Sequence, residues 1–216
     1  MGSLIAAAAV IFIFRAMPPA GPGASWFMID VLGFDKSFFG TLSQIGAGLA
    51  ILGMWFFART ITERSVAFIL SWLTIIGFVL SLPMIGLYYG LQEWTMVHFG
   101  FGARTIAIVD TALASPFIQL SMIPMLALTA KYAPKGNAAT WFALMASLMN
   151  LALTTANLFS QYLNQIFVVT REVVNAAGKV VVPADYSQLG MLLIVTTIIG
   201  LVLSLLAIQL LIHRKT

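Results

Sequence analysis

Six long runs of hydrophobic residues, separated by short polar clusters, make up most of the chain: 3–30, 37–58, 65–90, 104–130, 137–163 and 188–212. A helix needs about 20 predominantly apolar residues to cross the hydrocarbon core of a bilayer. These runs reach that length and are too continuous for barrel strands, which alternate over about ten residues. The pattern predicts an all-α membrane protein of six transmembrane helices. The third run (SVAFILSWLTIIGFVLSL) and the sixth (MLLIVTTIIGLVLSLLAIQLL) are smooth and are expected to face lipid. The fifth differs. Ser147, Asn150, Thr154, Asn157, Gln161 and Asn164 recur at spacings of three and four, which puts them on one stripe of a helix. Such a stripe either packs by interhelical hydrogen bonds or walls a polar cavity.

Two other runs carry helix breakers. The first contains FRAMPPAGPGASWF (14–27), with Arg15, Pro18, Pro19 and Pro22 close together. Proline removes a helix hydrogen bond, and arginine is costly in hydrocarbon. Broken helices persist in membranes only where they are buried in protein or border a cavity, so the motif predicts an interrupted helix with a positive charge at membrane depth. The fourth run contains Asp110, Thr111, Ser115, Pro116, Gln119, Ser121 and Pro124. Asp110 lies about two turns inside it. An intramembrane carboxylate marks either a functional site or a structural partner for a cation, for which Arg15 is one candidate.

Composition supports the membrane reading and removes other classes. The chain is 61% hydrophobic and only 8% charged, against about 25% charged in a soluble domain. No charge run suggests nucleic-acid binding. The net charge of +4 comes from loop residues whose distribution sets orientation. Arg59, Arg64, Lys131, Lys135, Arg214 and Lys215 fall on one side of a six-span topology; Lys36, Arg104, Arg171 and Lys179 fall on the other. Both termini are thereby expected in the cytoplasm, in the cell's inner or plasma membrane. The first apolar run lacks a preceding basic residue and has Arg15 after it, the wrong order for a cleaved signal peptide. There are no cysteines. His98 and His213 are far apart and lack metal-ligand spacing, and no nucleophile–base pair or phosphate loop is present. Neither an enzyme nor a bound cofactor or metal is expected. Residues 164–187 contain two β-branched runs around NAAGK, the pattern of a small extracytoplasmic β-hairpin.

Three stretches together resemble the folate–biopterin transporters, a branch of the major facilitator superfamily. FIFRAMPPAGPGASWFMIDVLGFDKSFFGTLSQIGAGLAILGMWFF (12–57) is similar to the start of their second half. IVDTALASPFIQLSMIPMLALTAKYAPKGNAATWFALMASLMNL (108–151) is similar to their tenth helix, short loop and eleventh helix. The last run, after DYSQLGMLL, resembles the twelfth. The superfamily's Gly-rich, Asp-Arg cytoplasmic loop motif is not evident in RTITER (59–64). The resemblance implies one six-helix bundle of a twelve-helix fold, with its first and fourth helices lining the central cavity and its third and sixth outermost. A second six-helix half, from the same transporter or from another copy, is then an expected partner, since alternating access moves one bundle against another.

The resulting expectation is half of a secondary transporter for a small organic solute, with folate or pterin suggested by the family likeness alone. Arg15, Pro18, Pro19, Trp26, Asp110, Ser115, Phe117, Gln119, Asn150, Thr154, Asn157 and Gln161 form the expected solute and ion pathway. Arg15 suits a carboxylate, Asp110 suits a hydrogen-bond donor or a proton, and Trp26 and Phe117 suit ring stacking. The competing expectation is a non-transporting membrane scaffold of the same fold.

Overall fold

Proline and glycine decide where the first run stops being helical. In the computed structural model, which describes residues 2–212, helix α1 (Gly2–Arg15) ends before Pro18 and Pro19, and α2 (Gly23–Asp30) starts after Pro22. Gly21 between them has φ +82°, a left-handed conformation that glycine adopts without steric cost. The side chain of Gln119 and the residue His213 lie outside the described residues.

The remaining helices are α3 (Lys36–Glu63), α4 (Val66–Tyr88), α5 (Leu91–Phe99), α6 (Ala103–Leu120), α7 (Met122–Lys131), α8 (Ala138–Ile166) and α9 (Leu189–Ile212). By length and apolarity, α3, α4, α6 with α7, α8 and α9 provide five candidate membrane spans among the described residues. Asp35 caps α3 by accepting from the Phe38 amide at 2.7 Å, and Ser65 caps α4 through Phe68. The short α5 is set off at both ends by Gly90 (φ +88°) and Gly100 (φ +77°). Its Trp94, Met96, Val97 and Phe99 are exposed.

Packing pairs α3 with α6, α4 with α9, and α1 with α8 and α9. Two clusters show how the broken α1–α2 pair lies. Val10 and Ile11 of α1 pack with Leu70 near the start of α4 and with Ala207 and Ile208 near the end of α9. Phe27 of α2 packs with Met84, Ile85 and Tyr88 at the end of α4 and with Leu189 and Leu193 at the start of α9. The pair thus runs the length of its neighbours, although neither piece alone is long enough to do so.

Helix α9 departs from the expectation for the smooth sixth run. It is no lipid-facing ornament: Leu189, Leu192, Leu193, Ala207 and Ile208 are buried against α1, α2 and α4, while Ile198, Val202 and Leu206 face outward. Uniform apolarity permits burial on any face, and contact selects one. Between α8 and α9, strands β1 (Val173–Val174) and β2 (Val180–Val182) pair antiparallel around a turn held by Asn175, and Thr170 bridges Asp185. All five strand residues are exposed.

Candidate functional site

The two helix breaks meet. Arg15 closes α1, where a cation is favoured by the exposed carbonyls of a helix C-terminus. Its guanidinium reaches across to the start of α7 and donates to Met122 Sδ at 3.6 Å, a weak acceptor. The Arg15 Nε is shielded and has no hydrogen-bond partner. Asp110 is not its counter-ion: none of the ion pairs among the described residues joins them. Asp110 is half-buried on α6, and its Oδ1 is likewise shielded and without a partner. It shares a helix face with Ala107 and Phe117, both packed inside the bundle.

Phe117 stands 5.4 Å from Trp72 and 5.2 Å from Phe57, ring centre to ring centre. The ring packs α6 on α3 and α4 and is half-buried. Trp26, half-buried, has no ring neighbour of this kind. Ser115 is 4% exposed and donates back to the Thr111 carbonyl at 2.6 Å. With Thr111, Ser43 and Gly46 it lines a groove of about 460 Å³ between α3 and α6. Pro18 is buried and borders an apolar cavity of about 320 Å³ with Phe159, Ile198 and Val202, whereas Pro19 is exposed.

The polar stripe of α8 points away from its own bundle. Trp141, Met145, Ala152, Ala156 and Ser160 form the buried face, and Ser147, Asn150, Thr154, Asn157 and Gln161 are all exposed on the opposite one. Of the two open alternatives, hydrogen bonding to helices within this chain does not occur for these five; Thr154 bonds only the Asn150 carbonyl one turn back. Asn164 is the exception. The stripe drifts around the helix, and Asn164 Nδ2 donates to the Ala20 carbonyl at 3.2 Å, inside the α1–α2 break.

A second polar cluster was not singled out in the sequence. Asp30, the last residue of α2, accepts two bonds from Arg171, at 2.9 and 2.8 Å, and one from the Tyr186 hydroxyl at 2.5 Å. Partial burial, then the Asp30 carboxylate, pushes the Tyr186 hydroxyl up to about 12. The three residues are 141 and 156 positions from one another's partner, and no local pattern links them.

Fold and site define a multi-pass membrane protein in which two interrupted helices carry opposite charges, one on each. Residues 2–216 match the BT1 family along nearly the whole chain, and the chain belongs to that family. It is 28% identical over 142 residues to the "Folate-biopterin transporter" of Synechocystis sp., a stretch covering 66% of this chain and 28% of that protein. It is 25% identical over 146 residues to the "Putative folate transporter 2" of Plasmodium berghei, covering 67% of this chain and 31% of that one. The chain therefore spans about a third or less of the matched relatives. No solved structure matches it significantly.

Proposed function

We propose that this chain is one six-helix bundle of a secondary transporter that moves a small, folate- or pterin-like organic solute by alternating access, together with a second six-helix half. The observation that carries the reading is the pair of opposite charges on the two broken helices, Arg15 and Asp110, each with a shielded polar atom that no group among the described residues satisfies. Buried polar atoms are normally hydrogen-bonded, and each exception calls for a reason. A solute that offers a carboxylate to Arg15 and a donor edge to Asp110 supplies one. Asp110 lies twelve residues from Met122, which holds Arg15, or about 18 Å along a helix axis at 1.5 Å per residue. That separation suits an elongated solute with an anionic tail and a hydrogen-bonding ring. Proton uptake by Asp110 would make the cycle a symport.

The exposed stripe of α8 supports the second half. Five polar side chains cannot face hydrocarbon without cost, and a second bundle or the water-filled space between bundles removes that cost. In this reading α1 and α2 form one interrupted span, the termini are cytoplasmic, and the protein sits in the inner or plasma membrane as a transporter and not an enzyme. The names of the two relatives supply the solute class.

Uptake of labelled folate and pterins by the complete two-bundle protein tests it. A charge-assisted hydrogen bond contributes about 1.5–3 kcal/mol, so Arg15→Gln and Asp110→Asn should each lower uptake about tenfold or more. Full uptake in both variants would remove the assigned roles.

A further inference from the structure

The α2 half-helix packs on Met84 and Ile85 of α4 and, through Met28, on the Phe34–Phe38–Ala107 cluster, but among the described residues its side-chain hydrogen bonds all come from one other stretch of chain. The end of α8 supplies Asn164, which donates to Ala20 just before α2. The following loop supplies Val169, so close to Gly23 that a side-chain carbon there would sit 2.9 Å from it. The same loop supplies Arg171 and Tyr186, which grip Asp30 at the far end. The start of α9 supplies Leu189 beneath Phe27. Tyr88 of α4 completes the seat, and it too is tied to this stretch, donating to the Tyr186 and Ser187 carbonyls at 3.0 and 2.9 Å.

The two ends of α2 differ in kind. At its base, three prolines and the left-handed Gly21 separate it from α1, so it is not propagated as part of a rigid rod. At its tip, the Asp30–Arg171 pair is accessible to water, with side chains 27% and 43% exposed. Ion pairs so exposed are weak enough to break and re-form in a working cycle, yet the bidentate geometry is specific for arginine.

We infer that the α8–α9 connection is a latch on α2: Arg171 and Tyr186 are positioning residues that hold Asp30, and through it the outer half-helix, against the ends of α4 and α9, and their release lets α2 swing about residues 16–22. This rests on the reading of α1–α2 as a pathway helix. It adds a gate that is built from the chain's own loop and is independent of the second bundle. A permanent staple would be buried and apolar; this one is polar, exposed and attached to a base that three prolines and Gly21 interrupt.

The chain has no cysteine, so a single introduced thiol reports the motion cleanly. Ala24 faces the Phe27–Leu189 cluster and is only partly buried. In the two-bundle protein in its membrane, the rate at which a membrane-impermeant thiol reagent labels an Ala24→Cys variant measures opening of α2. Adding Arg171→Ala or Asp30→Asn should raise that rate about fivefold or more, and Tyr186→Phe should raise it less. The exchange Asp30→Arg with Arg171→Asp should return it toward the parent rate. Glu63→Ala, which removes the exposed Arg59–Glu63 pair at the far end of α3, is the control and should leave the rate unchanged. Unchanged labelling in both single variants, or an equal rise in the control, would overturn the latch. The readout needs no solute, so loss of the transport reading and loss of the latch remain separate results.

Discussion

Trp141 illustrates how single residues close this bundle. It is 5% exposed, and its indole N–H donates at 2.8 Å to the carbonyl of Thr129, in the last turn of α7. Carbonyls there have no intrahelical partner. Trp141→Phe keeps most of the apolar contact and orphans that carbonyl, so it should destabilise the bundle by about 1–2 kcal/mol, seen as a lower unfolding midpoint in detergent. Asp35 gives a pH test. The Phe38 amide and the Ser37 hydroxyl, with Arg104 nearby, hold its carboxyl below the usual value of 3.8. A depressed carboxylate contributes stability in full above that value and loses it as pH falls through the lower, folded one. Asp35→Ala should therefore lower the unfolding midpoint at pH 7, with the difference shrinking in acid below the ordinary carboxylate range.

Between elements, α3 and α6 come close enough for one helix to meet the backbone of the other. A side-chain carbon built on Gly53 would lie 2.5 Å from the Cα of Pro116, part of the backbone of the other helix, whereas Gly48 of the same helix has open space around it. Gly53→Ala must push α3 from α6 and should cost about 1–3 kcal/mol, as overpacking does. Gly48→Ala meets nothing within the bundle and should stabilise α3 by up to about 1 kcal/mol through backbone entropy. Unfolding midpoints of the two variants side by side check the contrast, and equal effects would mean that the α3–α6 contact is looser than described. The fourth run is two helices for a local reason: Pro124 has no N–H to donate to the Leu120 carbonyl, so α6 ends at Leu120 and the chain re-forms its helix as α7 after Ser121.

At the scale of the molecule, α8 turns one face into the bundle and leaves an exposed polar face on the other side. Asn150 and Asn157 are exposed, and among the described residues neither side chain bonds another helix. Replacing both with leucine should leave the bundle's own unfolding midpoint within about 0.5 kcal/mol, as for surface changes, while reducing solute uptake and co-purification with the second half. A bundle that unfolds with these substitutions would show instead that the stripe is internal packing. Among the described residues Asn164 is the one member of the stripe that bonds into the α1–α2 break, so the proposed latch and the proposed bundle interface would lie on one helix.

Hydrophobic length, proline position and the three-four spacing of the α8 stripe are local properties, and a reader of the chain can see them without coordinates. They suffice for an all-α membrane protein, for the interruption after Arg15 and for the six polar residues sharing a stripe. They are silent on direction. Nothing in SVAFILSWL or MLLIVTTII says which side of an apolar helix meets protein, and only the packing of α9 against α1 and α4 buries Leu192 and leaves Val202 outside. Nor does a single sequence record that Trp72 and Phe57 stand beside Phe117. The Asp30–Arg171–Tyr186 cluster joins residues more than 140 positions apart, a distance no periodicity spans. Arg15 and Asp110 were each visible as charges out of place; that they do not neutralise one another was decided by the fold, which carries Arg15 to Met122 and turns Asp110 toward the inner face of α6.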